Sequence, residues 1–258
     1  MQTRPIITRG QPLAGGRVPA VCAPLVGRTP EALAAEAVAV VAKQPDLLEW
    51  RVDFFQDLGD TQAVLAAGAQ VRRAAGGIPI LFTRRSEREG GQRIGVGEPQ
   101  VIALYEAVAR AGLVDLLDFE MGSPQGDIDR VRAACVAHRL PLVLSFHDFQ
   151  RTPATGDLQE RFARAHRLGA DVAKVAVMPQ SIEDVHRLLG ATLEASRTLP
   201  IPVISMAMGG LGAVSRVCGG VFGSALTFAV GAAPSAPGQM PIEDVRAALA
   251  VLARATSG

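Results

Sequence analysis

The sequence contains very few lysines and cysteines. Lysine and arginine together number 26, yet Lys43 and Lys174 are the only lysines, so arginine supplies nearly every positive charge. The three cysteines, Cys22, Cys135 and Cys218, are widely spaced and form no CxxC pair, which favours buried thiols over a metal or redox site. A lysine retained in such a sequence is a candidate for chemistry that arginine cannot perform.

An excess of charge and a long apolar run are also absent. The formal net charge is +1, so no global field attracts a nucleic acid or an anionic membrane surface. No segment approaches the ~20 apolar residues that span a bilayer, and the first residues lack the apolar run of a signal peptide. We therefore expect a cytoplasmic protein that binds neither nucleic acid nor membrane.

What the sequence does have is a regular alternation of short β-rich runs and longer helical patterns, which is typical of βα units around a parallel sheet. Because about 250 residues and eight such units suit a closed barrel, we predict one α/β fold, a (β/α)8 TIM barrel occupying residues 1–258 as a single catalytic domain. No GxGxxG follows the first strand, which disfavours a dinucleotide fold. The predicted strands are 21–26, 47–52, 78–82, 114–119, 142–146, 172–175, 203–206 and 221–226.

Helices are predicted between these strands and at the end of the chain. The first twenty residues contain Gly10, Gly15 and Gly16 between short apolar runs, and they are predicted to form a β-hairpin that closes the bottom of the barrel. The predicted helices include 30–43, 100–111, 128–138, 158–168, 182–193 and 242–253.

Polar residues occur where the predicted strands end, which is where a (β/α)8 barrel carries its active site. Glu49, Arg51 and Asp53 alternate along the second strand and therefore face the same side. These charges suit a polyol-binding site, and an internal set of salt bridges is the alternative. A charged stretch that contains Arg85 and Glu89 follows the third strand, where an exposed loop is the alternative.

Two further residues suggest acid–base and covalent chemistry. His147 ends the fifth strand, and an ordinary imidazole pKa of ~6.5 suits proton transfer near neutral pH, although a structural histidine is the alternative. Lys174 lies among small apolar residues on the sixth strand, where burial favours the neutral amine that attacks a ketone. A structural lysine paired with Asp or Glu is the alternative. The other histidines share no ligand spacing, so no metal site is expected.

Several segments together resemble the type I 3-dehydroquinate dehydratase family, in the family's order from about Ala20 to Gln239. The glycine-rich stretch at 209–212 departs from the family pattern and precedes Arg216. The matching segments are EWRVD at 49–53, FTRRSEREGG at 82–91, SFHDF at 145–149, GADVAKVAVMPQ at 169–180, SMAM at 205–208, SR at 215–216, VFGS at 221–224 and SAPGQ at 235–239.

The resemblance implies a cofactor-free, Schiff-base-dependent dehydration of the small molecule 3-dehydroquinate to 3-dehydroshikimate in the shikimate pathway, by a homodimer. By position, it makes Lys174 the imine-forming lysine, His147 the general acid/base and Glu89 the carboxylate that supports His147. Arg216 becomes the anchor of the substrate carboxylate. The stretch 230–239 is rich in Gly, Ala, Pro and Ser, and this composition predicts a mobile lid that carries Ser235 and Gln239 over the substrate. The implied substrate-binding residues are Glu49, Arg51, Arg85, Arg216, Ser235 and Gln239.

Two other functions stay open at this point. A class I Schiff-base aldolase on the same barrel would also place Lys174 at a strand end, but it would not need this set of His147, Arg216 and Gln239. A non-catalytic sensor of a cyclic polyol acid would need the binding residues without the chemistry. Turnover of 3-dehydroquinate separates these functions.

Overall fold

A short antiparallel hairpin precedes eight parallel strands in the computed structural model, which describes residues 3–256. The hairpin consists of β1 (Ile7–Thr8) and β2 (Gln11–Pro12). The parallel strands are β3 (Ala20–Leu25), β4 (Leu47–Arg51), β5 (Ile80–Thr83), β6 (Leu116–Glu120), β7 (Leu142–Asp148), β8 (Val172–Val177), β9 (Val203–Ala207) and β10 (Leu226–Phe228). The α-helices are α1 (Pro30–Val41), α2 (Thr61–Ala75), α3 (Glu98–Ala111), α4 (Gln125–His138), α5 (Thr155–Arg167), α6 (Ile182–Thr198), α7 (Ala213–Cys218) and α8 (Ile242–Thr256).

The parallel strands pair in sequence order and the sheet nearly closes on itself. β10 pairs with β3. At the remaining seam, the backbone N–H of Ala225 donates to the carbonyl of Val203 at 2.8 Å, next to a bridge between Val203 and Ser224. The fold is therefore the predicted TIM barrel. No helix within residues 3–256 combines the length and the apolar character that a membrane crossing requires.

The direction of each side chain follows from the pleat of its strand. Trp50 points outward and makes an edge-to-face contact with Phe82, with ring centroids 5.4 Å apart. Phe82 in turn contacts Tyr105, and Tyr105 contacts Phe119, each at 5.3 Å. Such aromatic pairs stabilise a core by about 0.5–1.5 kcal/mol each beyond their burial. Since neighbours on a strand face opposite sides, Glu49 points into the barrel.

The hairpin covers the bottom of the barrel, as the glycine pattern predicted. Ile6 and Leu13, which flank it, are buried with the interior-facing side chains Leu47, Leu116 and Val172 at the start of their strands. Arg9, at the hairpin turn, pairs with an aspartate that immediately precedes β6. The hairpin thus closes the bottom of the barrel.

Two predictions about the chain near its end were wrong. The last strand begins at Leu226 rather than at residue 221, because 3-10 turns occupy Gly219–Phe222. A Cβ on Gly220 would lie 2.3 Å from Pro19 Cδ, so this turn packs too closely for a side-chain-bearing strand. Cys218, predicted to be a buried thiol, ends the short outer helix α7 and is partly exposed, whereas the other two cysteines are buried.

Candidate active site

A cavity opens at the carboxyl ends of the strands and brings together eight of the nine predicted site residues. Gly90, Phe149, Ala176, Met206, Met208, Phe228 and Ala236 complete its wall. Arg216 alone of the nine does not line the cavity. The eight are Glu49, Arg51, Arg85, Glu89, His147, Lys174, Ser235 and Gln239.

Lys174 projects from β8 into this cavity and is 3% exposed. Its Nζ donates to Asp118 Oδ2 at 2.9 Å and to Glu49 Oε1 at 3.5 Å. It also lies 4.6 Å from the centroid of the Phe228 ring, so two carboxylates and a ring face surround this nitrogen. Lys174 is therefore paired with carboxylates, as a purely structural lysine would be. It also lines the cavity, however, so a ligand there can reach it.

Asp118, which the sequence reasoning missed, joins Lys174 to Arg85. Its Oδ1 accepts from Arg85 at 2.6 Å and from the Ser145 hydroxyl at 2.7 Å. Burial by itself would raise the pKa of Asp118, but the charges of Arg85 and Lys174 lower this pKa to about 2. Asp118 is therefore a permanent anion at neutral pH.

Arg85 is the centre of the buried charge network. Besides Asp118, its guanidinium contacts Glu120 at 3.3 Å and Glu89 at 3.5 Å. Burial opposes its charge, but the surrounding carboxylates hold the pKa of Arg85 above its ordinary value. The exposed-loop alternative is wrong for Arg85 and Glu89, which are both buried, although Glu87 between them is exposed.

Glu49, Arg51 and Asp53 fit both interpretations of the sequence, an internal salt bridge and a binding site. Arg51 donates two parallel hydrogen bonds to Asp53, each at 2.8 Å, so an internal salt bridge exists. Asp53 also accepts from the backbone N–H groups of Arg85 and Gln92 at 3.2 Å and 3.0 Å. Asp53 therefore orients Arg51 and the loop after β5, while Glu49 and Arg51 remain on the cavity wall.

His147 and Glu89 form a hydrogen-bonded pair. Glu89 Oε2 lies 2.9 Å from His147 Nδ1 and accepts from the His147 backbone N–H at 3.0 Å. Burial lowers the pKa of His147 well below its ordinary 6.5, and Arg85 and Lys174 lower it further. Burial raises the pKa of Glu89 to about 8 against the opposing charge of Arg85. The pair therefore shares one proton near neutral pH, and Nε2 is left for a ligand.

The Glu89→Gln variant should gain stability relative to the parent chain as the pH rises. Because the pKa of Glu89 is raised from 4.5 to about 8, its stabilising contribution is complete below about pH 4.5 and is lost as the pH approaches 8. An amide does not ionise and avoids this loss. Between pH 5 and pH 8, the difference between the thermal unfolding midpoints of the variant and the parent chain should shift by about 5 °C or more in favour of the variant. A difference between the two midpoints that does not change with pH would contradict the raised pKa of Glu89.

Arg216 lies behind the cavity wall and is 1% exposed. It donates to the carbonyl of Pro237 at 3.0 Å and to the carbonyl of Phe228 at 3.3 Å. Its Nε has no hydrogen-bond partner among the described residues. Burial lowers the pKa of Arg216 to about 10, which leaves it charged at neutral pH. Arg216 thus holds one carbonyl of β10 and one of the loop after β10, while its Nε is an unused donor among the described residues.

The loop after β10 covers the cavity with Ser235 and Gln239 bound to each other. Gln239 Oε1 accepts from the Ser235 backbone N–H at 2.9 Å, and its Nε2 lies 3.3 Å from the Ser235 hydroxyl. Gly238 has a φ of 75°, and a Cβ there would lie 2.3 Å from the carbonyl oxygen of Gly209. The glycine-rich stretch at 209–212 therefore supports the loop.

The remaining histidines lie on three different helices. His138 ends α4, His166 lies in α5 and His186 lies in α6. Within residues 3–256, no group of three or more His, Cys, Asp or Glu side chains has the arrangement of a metal site.

Comparison with known proteins gives matches along nearly the whole chain. A family model of type I 3-dehydroquinase matches residues 21–256. The sequence is 53% identical over 253 residues to 3-dehydroquinate dehydratase from Albidiferax ferrireducens, which covers 98% of this chain and 96% of that protein.

Two solved structures share the fold. That of 3-dehydroquinate dehydratase from Geobacillus kaustophilus has 50% sequence identity and a TM-score of 0.95, covering 98% of both chains. That of type I 3-dehydroquinate dehydratase from Clostridium difficile, with covalently modified comenic acid, has 35% identity and a TM-score of 0.92, covering 99% of this chain and 100% of the other. On these matches, the chain belongs to the type I 3-dehydroquinase family.

Proposed function

We propose that this chain is a 3-dehydroquinate dehydratase, a hydro-lyase that forms 3-dehydroshikimate through an imine on Lys174. The observation that carries the proposal is that one cavity contains both Lys174 and the hydrogen-bonded pair of His147 and Glu89. A nucleophilic amine and a positioned proton carrier are the two groups that imine-dependent elimination requires. The substrate follows from the relatives, which are named for this reaction.

Imine formation begins with the neutral amine of Lys174. Its nitrogen attacks the C3 ketone, and the carbonyl oxygen takes a proton from His147 to give a carbinolamine. The nitrogen, which is cationic after the attack, returns one proton to His147; His147 delivers this proton to the carbinolamine hydroxyl, which leaves as water while a protonated C=N bond forms. The low pKa of His147 makes it a ready proton donor once it is charged, and Glu89 holds its ring in place.

Elimination uses the protonated imine as an electron sink. Nε2 of His147 removes the C2 proton, the C–H electron pair forms a C2–C3 double bond, and the C=N pair moves to nitrogen. The enamine then returns its electrons, the C1–C2 double bond forms, and the C1 hydroxyl leaves as water with the proton from His147. Water hydrolyses the product imine and frees Lys174.

The other cavity residues bind the substrate in this proposal. Arg51 is fixed by Asp53 and Arg85 by Asp118, so both present oriented donors to hydroxyl groups. Glu49 offers an acceptor beside Lys174. Ser235 and Gln239 exchange their mutual hydrogen bonds for bonds to the substrate when the loop closes over it.

Reductive trapping tests the proposal directly. The protein is mixed with 3-dehydroquinate, borohydride is added, and peptide mass spectrometry locates any added mass, because reduction makes an imine permanent. A ligand adduct on Lys174, together with release of 3-dehydroshikimate, is the expected result. Carbon–carbon cleavage instead of water loss would favour the aldolase alternative. Binding with neither adduct nor turnover would favour the sensor.

Arg216→Lys should raise KM for 3-dehydroquinate by about tenfold or more although the charge is kept. A guanidinium donates two parallel hydrogen bonds to a carboxylate, whereas an ammonium does not, and Nε of Arg216 is a donor without a partner among the described residues. Steady-state kinetics measure the change. An unchanged KM would remove Arg216 from the substrate site.

Substrate should protect the loop at 230–239 from proteolysis. The loop holds Ser235 and Gln239 over the cavity and is rich in Gly, Ala, Pro and Ser, a composition suited to a lid that opens for entry. Limited proteolysis with and without 3-dehydroquinate, followed by mass spectrometry, compares cleavage in the loop with cleavage elsewhere. Equal cleavage in both samples would argue against closure.

We further propose that residues 1–258 act as a single catalytic domain, that the protein is a homodimer and that it works in the cytoplasm. These proposals are supported by the resemblance to the family, by matches that cover nearly the whole chain and, for the cytoplasm, by the composition. Light scattering after size-exclusion chromatography tests the dimer, and fractionation of the source cells tests the location.

A further inference from the structure

Asp118 contacts the reacting nitrogen from outside the cavity. Its Oδ2 accepts from Lys174 Nζ at 2.9 Å, nearer than the 3.5 Å contact with Glu49. The Asp118 side chain is 0% exposed and is not part of the cavity wall. A substrate in the cavity therefore reaches Lys174 and Glu49 but not Asp118, which stays beside the nitrogen after that nitrogen has bonded to carbon.

The rest of the network fixes the charge of Asp118 and leaves one oxygen for Lys174. Arg85 and the Ser145 hydroxyl both donate to Oδ1, at 2.6 Å and 2.7 Å. The pKa of Asp118, about 2, keeps the carboxylate charged throughout an ordinary assay range. Asp118 thus acts on the nitrogen through its charge and does not carry protons. Other titratable or charged groups also face the Lys174 nitrogen, Asp118 or Glu49. They are Cys22 on β3, Glu49 and Arg51 on β4, Arg85 and Glu89 after β5, Tyr105 on α3, Glu120 on β6 and His147 on β7.

We propose that Asp118 is the counter-ion that keeps the imine on Lys174 protonated during dehydration, an inference that rests on the proposed function. The imine accepts the C2–H electron pair only while its nitrogen carries a proton, because the C=N electrons then move to a cationic nitrogen. An opposite charge within about 4–6 Å favours the protonated form of such a group by about 1 to 3 pH units. Asp118 thereby keeps the electron sink available at neutral and mildly alkaline pH.

The pH dependence of kcat tests this role with a matched pair of variants. Asp118→Asn removes the anion, so the imine should lose its proton earlier and the alkaline fall of kcat should move about 1 to 3 pH units toward acid. Glu120→Gln makes the same carboxylate-to-amide change on another partner of Arg85, at 3.3 Å, which does not contact Lys174. Glu120→Gln should leave the pH at which kcat falls on the alkaline side unchanged, whatever it does to the maximal kcat. Asp118→Ser, which leaves more room, serves if the Asn variant does not fold by circular dichroism.

Trapping with cyanoborohydride, which reduces the protonated imine, gives a second readout. At pH 8, the Asp118 variant should accumulate the Lys174 adduct at least about tenfold more slowly than the parent chain, and lowering the pH to 6 should restore the rate. If the parent chain forms no adduct at any pH, the proposed function itself fails. A different result is that the parent chain is trapped while kcat of the Asp118 variants falls at the same alkaline pH as kcat of the parent. That result overturns the counter-ion role and leaves the proposed function standing.

Discussion

Lys174→Arg is expected to lower kcat for 3-dehydroquinate by about 10⁴-fold or more, which corresponds to about 5 kcal/mol or more of transition-state stabilisation. A guanidinium keeps the positive charge that faces Asp118 and Glu49, so the buried network keeps its partners. It stays protonated in proteins, however, and cannot attack a ketone. The variant therefore separates covalent chemistry from charge, which a change to an apolar residue does not.

The scarcity of lysine provides a matched control in Lys43→Arg. Lys43 follows α1 with 36% of its side chain exposed, and it donates to the Gly231 carbonyl at 2.7 Å. Its replacement should leave kcat unchanged, and borohydride should still fix substrate on the one remaining lysine side chain. Thermal unfolding of both variants checks that the fold is kept. A folded Lys174→Arg variant with more than about a tenth of the parent activity would exclude Lys174 as the nucleophile.

The sequence was sufficient for the barrel because its patterns are local. Alternation of short β-rich and helical runs predicted the eight strands, and the pleat predicted that Glu49 and Arg51 share the interior face. The last strand was misplaced for a reason that is not local. The residues at 221–225 have the composition of a strand, but close packing of Gly220 against Pro19, about two hundred positions away, selects a turn.

The site was predictable only in part, because its contacts join distant strands. Asp118 appeared to be an ordinary residue of a buried strand, and its importance depends on Lys174, which is 56 positions away. The alternation in LLDFE at 116–120 nevertheless matches the pattern at 47–51, with charges on every second residue. Two strands of one barrel, separated only by β5 and both carrying inward carboxylates, predict that a buried cation must lie between those carboxylates. That signal was available in the sequence.

Arg216 shows a different limit of sequence reasoning. Its motif predicts a carboxylate anchor, yet in the structure it lies behind the cavity wall with a carbonyl of Pro237 as its partner. Motifs specify which residue types come together, but not which partner each one holds before substrate binds. If the proposed anchor is right, a substrate carboxylate must reach Arg216 through the wall beside this carbonyl, so binding and loop position are coupled.

His147→Gln is expected to lower kcat by about 10²–10⁴-fold, the range that positioned proton transfer usually contributes. The variant keeps the Glu89 hydrogen bond to the backbone N–H of residue 147, so the strand end stays in place. Lys174 keeps its contacts with Asp118 and Glu49 and can still react slowly with the ketone. Steady-state kinetics measure the loss, and His138→Gln at the exposed end of α4 is the control that should leave kcat unchanged.

Trapping separates a chemical from a structural role for His147. If His147 moves the protons of imine formation, elimination and hydrolysis, its removal slows all three steps, and removal of the C2 proton, which needs a positioned base, should slow the most. Borohydride should then fix a larger fraction of Lys174 at steady state than it does in the parent chain, despite the lower turnover. A structural histidine would instead lower kcat and trapping together, with a lower unfolding midpoint, because distortion of β7 displaces Glu89 and the neighbouring β8. That outcome would return His147 to the structural alternative and leave elimination without an identified base.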